Sequence, residues 1–145
     1  MAKLSIAISD ELLEKINARG NSRSRVIQRD LDRYYDLLER ALKRAKLSVK
    51  EACLIADVLN GTVIDARTAG MLWAEIEDGI ELEGYDEKWG VDGQALVEKL
   101  KNLNELQAMA IIDAAERFWA SCESSKETER ESLEEKIARF FCIRD

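Results

Sequence analysis

Residues 3–9, Lys3-Leu4-Ser5-Ile6-Ala7-Ile8-Ser9, followed by DELLEKINARGNSRSRVIQRDLDRYYDLLERALKRAK at 10–46, decide how this chain is read. Leu4, Ile6 and Ile8 alternate with Lys3, Ser5 and Ala7, the period of two expected of a half-buried strand. Ser9 is placed to cap a helix that begins with Asp10 and Glu11, whose carboxylates suit a helix N-terminus. Leu12, Leu13 and Ile16 face inward along that helix up to Gly20. After Gly20-Asn21, the hydroxyls of Ser22 and Ser24 offer a second N-cap. Val26, Ile27, Leu31, Tyr34, Tyr35, Leu38 and Leu42 then recur at helical spacing to about Lys46. The order is strand, helix, turn, long helix.

The strand has no counterpart elsewhere in the chain, and an unpaired strand edge invites association. Pairing with a second copy would satisfy it. Two antiparallel copies of residues 3–9 would make a two-stranded ribbon, its Leu4/Ile6/Ile8 face lying on the helices and its Lys3/Ser5/Ala7 face turned outward. Such a ribbon fits the DNA major groove, where Lys can donate to guanine, Ser can hydrogen-bond to bases and an Ala methyl can touch thymine.

In this strand, in SDELLEKI at 9–16 and in GNSRSRVIQRDL at 20–31, the N-terminal third resembles the ribbon-helix-helix repressors, the family of Arc and the methionine repressor, which also includes many antitoxins. The resemblance implies that Lys3, Ser5 and Ala7 read bases. It also implies that Ser22 and Ser24 clamp phosphate at the start of the second helix, with Arg23 and Arg25 adding charge. Ala7 stands where the family frequently carries a long polar residue.

Charge divides the chain. Among its 145 residues, 22 Lys and Arg face 29 Asp and Glu, a net charge of -7. Yet residues 1–50 hold 12 basic and 7 acidic side chains, leaving 10 basic and 22 acidic in the remainder. A basic binding module joined to an acidic partner domain produces this asymmetry. The sequence has no His and no Pro, so His-dependent triads, His-ligated zinc and a histidine pH switch are excluded. Cys53, Cys122 and Cys142 form no CxxC pair, which points to a reduced, cytoplasmic setting. No apolar run is long enough for a membrane span, and no glycine-rich phosphate loop is present. Neither a catalytic site, a metal site nor a cofactor is expected; the chain reads as a non-enzyme.

Residues 48–145 read as an acidic, all-helical domain. Ser48 with Glu51 forms a capping-box pattern opening a helix to Asn60-Gly61. A helix is expected over 65–78, then a loop from Gly79 to Gly93. A further helix begins at Val91 or Asp92, and Asn104 caps a strongly apolar one to Trp119, expected to be central. Residues 48–120 thus make four helices. Leu133, Ile137, Phe140 and Phe141 keep helical spacing beyond a heavily charged stretch, for a last helix that either docks or folds on contact. Trp73, Trp89 and Trp119 are expected in the core, Cys53 as a small buried apolar residue, and the carboxylates between Glu75 and Glu87 as a solvated surface.

The expected fold is mainly α: a ribbon-helix-helix unit over 1–47 and an all-α domain over 48–145. The expected function is sequence-specific binding of double-stranded DNA by a homodimer, or a higher oligomer on DNA, acting as a transcriptional repressor at a palindromic or repeated operator. The alternatives are an antitoxin whose acidic half binds a second protein, a conjugation or partition accessory factor, and a helical scaffold with no role on DNA.

Overall fold

A computed structural model describes residues 9–18, 23–60, 71–124 and 132–143. Among these there are eight helices and no strand: α1 (Asp10–Asn17), α2 (Arg23–Ala45), α3 (Val49–Val58), α4 (Leu72–Glu83), α5 (Tyr85–Trp89), α6 (Gly93–Lys101), α7 (Glu105–Ser124) and α8 (Leu133–Phe140). The strand expected over residues 3–9 lies outside the described residues except for Ser9. No helix among the described residues is long and apolar enough to cross a membrane.

The chain separates into two compact units, Met1–Leu37 and Leu38–Asp145. The division falls within α2, whereas the sequence reading places it after residue 47, where the second helix ends and Ser48 opens the next. Its physical basis is burial: Leu38, Ala41, Leu42, Ala45 and Leu47 all belong to the apolar core of the C-terminal unit.

In the N-terminal unit, α1 starts as its sequence dictates. The Ser9 hydroxyl accepts from the Leu12 N–H at 3.2 Å, with Asp10 and Glu11 in the first turn and Lys15 in the last. Carboxylates at the start and a cation at the end both oppose the helix dipole.

The C-terminal unit is built around α3. Ala52, Cys53, Leu54, Ile55 and Ala56 are all buried in succession, so the middle of this helix is enclosed on every side. Four helices pack on it: α4, α5, α7 and α8. Three of the five enclosed residues are Ala or Cys, and such short side chains let several helices come close at once. The apolar α7 shares the centre, burying Ala110, Ile111, Ala114 and Phe118 completely.

The start of α3 is fixed by a reciprocal cap. Ser48 Oγ accepts from the Glu51 N–H at 3.1 Å, and Glu51 Oε1 accepts from the Ser48 N–H at 2.8 Å. Lys99 of α6 reaches the same Oε1 at 2.7 Å and the Lys46 carbonyl at 3.2 Å, tying the preceding turn to a distant helix. Asn104 and Gln107 form an equivalent reciprocal pair at the start of α7 (2.8 and 3.0 Å).

The structure departs from the sequence reading between residues 71 and 93. The expected loop from Gly79 is helical: α4 continues to Glu83 and α5 follows at once. Glycine sets the breaks, with Gly84 and Gly90 in the left-handed region at φ 68° and 66° closing α4 and α5. Four glycines in a short span suggest turns by composition, yet Gly79 sits inside α4, where it faces Val58 of α3. Residues 65–70, the first part of the expected helix, lie outside the described residues. With α5 added, the described residues between 48 and 120 hold five helices instead of four.

The last helix docks. Ser132 caps α8 through the Glu135 N–H at 3.2 Å, and Ile137 and Phe141 are each 1% exposed against the core. Lys136 is also buried, its ammonium 5.9 Å from the centre of the Phe118 ring. Trp73, Trp89 and Trp119 lie at the margin of the core, half-buried, rather than inside it.

Candidate nucleic-acid interface

The base-reading positions Lys3, Ser5 and Ala7, and Ser22 at the expected phosphate site, lie outside the described residues. The remaining phosphate candidates open α2. Arg23 is its first residue, and Ser24 and Arg25 follow in the first turn, both exposed. Ser24 therefore lies inside the helix.

The first turn of α2 contains no acidic residue, unlike α1, where Asp10 and Glu11 fill that place. Free N–H groups at a helix start carry a partial positive charge that carboxylates would normally offset. In α2 the first turn carries the exposed Arg25 instead. Arg29 and Arg33 follow Arg25 at intervals of four, on the same side of the helix. Arg29 lies 4.0 Å from the neighbouring Asp30, a loose surface contact.

A second property of this unit went unread in the sequence. Among the described residues of this unit, which ends at Leu37, only Ile16 and Val26 of the apolar positions expected as core are buried. Leu12, Leu31, Tyr34, Tyr35 and Leu37 remain between 39% and 48% exposed. Leu31, Tyr34 and Tyr35 occur at i, i+3 and i+4 and make one continuous face, with the two tyrosine rings edge to face at 5.5 Å. Helical spacing tells which side chains share a face; it does not say whether this chain has anything to cover it.

Sequence reading also missed a polar cluster in the C-terminal unit. Asp57 Oδ2 accepts from Lys88 Nζ at 2.6 Å and from the Trp89 indole at 3.0 Å. The hydrogen bond to Asp57 raises the Lys88 pKa above its ordinary value. Nothing in the local sequence signals a pairing across thirty-one positions. No group of three or more carboxylates or thiols suited to a metal ion occurs among the described residues.

No protein-family profile, no characterised protein and no solved structure matches this chain.

Proposed function

We propose that the chain is a homodimeric DNA-binding protein of the ribbon-helix-helix kind, acting as a repressor at a palindromic or repeated operator. The observation that carries this reading is the apolar face of α2. Leu31, Tyr34 and Tyr35, between 39% and 47% exposed in the single chain, make an apolar face that a second copy on a two-fold axis would cover. The residue pattern at 3–9 and the acid-free, arginine-bearing start of α2 supply the DNA-facing part of the argument. Lys3, Ser5 and Ala7 read bases; Ser22, Arg23, Ser24 and Arg25 hold phosphates. The acidic helical unit then serves oligomerisation or recognition of a partner protein.

The test is selection from random duplexes at two salt concentrations. The expected result is an enriched palindrome or repeat whose affinity falls steeply with salt. Lys3→Ala/Ser5→Ala should flatten the sequence preference and leave the dimer intact. Arg25→Ala should weaken binding to all sequences alike and reduce the salt slope by about one per lost phosphate contact. Absence of binding even at low salt, or an Arg25→Ala loss confined to one sequence, overturns the assignment.

A further inference from the structure

A cavity of about 260 Å³ lies within the C-terminal unit, between α3, α5, α7 and α8. Its inner residues Cys53, Ala56, Phe118 and Ile137 are each at most 1% exposed. Trp89 and Trp119 line it as well, and both indole N–H groups are already engaged, that of Trp119 donating to the Ala56 carbonyl at 2.8 Å and that of Trp89 to Asp57. The two tryptophans therefore contribute mainly carbon surface. Leu133, the first residue of α8, lines the cavity while 49% exposed, so the cavity reaches solvent beside the first turn of that helix.

The polar contribution is small and balanced. Asp57 and Lys88 both line the cavity and neutralise one another at 2.6 Å. Asp57 Oδ2 takes both the Lys88 and the Trp89 bonds, which leaves Oδ1 as an acceptor. Burial pushes the Cys53 thiol up to about 11, so it stays protonated at neutral pH and adds a soft, uncharged wall.

We propose that this cavity binds a small uncharged aromatic molecule of one or two rings carrying a single N–H or O–H donor. Size sets the ring count, because sites for drug-sized ligands begin at roughly 300 Å³. Charge is selected against because Asp57 and Lys88 already neutralise one another and no other charged side chain lines the cavity to offset the desolvation of an ion. Apolar lining binds water poorly, which favours a flat hydrocarbon surface in its place. The donor pairs with Asp57. This site is independent of DNA binding, resting only on residues of the C-terminal unit.

The test uses the full chain with 4-fluorophenol and fluorobenzene as probes, followed by ¹⁹F relaxation and by intermolecular NOEs to the protein methyls. The expected result is saturable binding of 4-fluorophenol with NOEs to Ile137 and Leu133. Fluorobenzene, lacking the donor, should bind about fivefold more weakly, the worth of one ordinary hydrogen bond. Leu133→Trp places a ring at the mouth of the cavity without altering its buried wall. It should weaken 4-fluorophenol binding at least about tenfold while the melting temperature is kept. The proposal is overturned by non-saturable binding of 4-fluorophenol up to about 50 mM, where even a one-ring ligand of ordinary efficiency should register. NOEs to other surfaces, fluorobenzene binding as well as the phenol, or unchanged binding in a folded Leu133→Trp variant overturn it equally. The NOE pattern of the unsubstituted protein decides the matter if that variant does not fold.

Discussion

Leu31→Ala separates a dimerising α2 from a merely decorated one. Leu31 is 44% exposed in the single chain, in the same face as Tyr34 and Tyr35. Truncation to Ala removes the outer three carbons of the side chain, and about 0.8 kcal/mol accompanies burial of each such group. Taking only the exposed fraction as newly covered in a dimer gives about 1 kcal/mol per copy. A two-fold interface counts every substitution twice, so the dimer should lose about 2 kcal/mol, or about thirtyfold in its dissociation constant. Sedimentation equilibrium across a range of concentrations reads this directly, with circular dichroism to show that the helices persist. Leu82→Ala is the control, since Leu82 is 81% exposed and belongs to the other unit. An unsubstituted protein that is monomeric throughout the range refutes the reasoning. So does a dimer weakened by Leu82→Ala and untouched by Leu31→Ala, which would move the association to the C-terminal unit.

Two further outcomes follow from the packing and the titration of the C-terminal unit. A Cβ at Gly79 would lie 2.9 Å from Val58 Cγ2 and 3.3 Å from the Tyr85 ring. Gly79→Ala should therefore destabilise by about 1–3 kcal/mol, despite alanine's better helix propensity of about 1 kcal/mol. Val58→Ala should relieve the clash, so urea melts of the single and double variants must be non-additive; simple additivity would show that α3 and α4 do not meet there. For Cys53, burial is the largest cause of the raised pKa, with Glu134 and Asp57 adding to it and Lys50 opposing it. A thiol at about 11 when folded and 9.0 when unfolded loses its proton first in the unfolded chain. Its contribution to stability is thus complete below pH 9.0 and is lost as pH rises through about 11, for a total of about 2–3 kcal/mol. Lys88 titrates with the same sign above its ordinary value of 10.5. Comparison with Cys53→Ala isolates the thiol: equal alkaline slopes in denaturant melts would contradict its burial.

Local signals carried much of the architecture. Ser9, Ser48, Asp92, Asn104 and Ser132 each cap the helix that follows, and each of these starts depends on residues three or four positions apart. The mainly helical class and the burial of Cys53 were legible for the same reason. Composition does not stand in for geometry: the glycines between 79 and 93 suggest a loop, yet Gly79 serves a close helix approach, and Gly84 and Gly90 end helices. Of the seven residues that the sequence proposes to face DNA, the described residues include Arg23, Ser24 and Arg25, at one helix start.

What this sequence determined alone was the position of the capped helix starts and which side chains share a helix face, because both follow from hydrogen bonds and periodicity within a few residues. Tertiary structure decided which faces are covered. Leu38 and Leu31 sit on one helix with similar patterning, yet Leu38 is 1% exposed and Leu31 44%. It likewise brought Asp57 to Lys88 and Trp89 and enclosed a cavity behind them. Burial and long-range pairing depend on neighbours supplied by distant segments, and no local pattern encodes them.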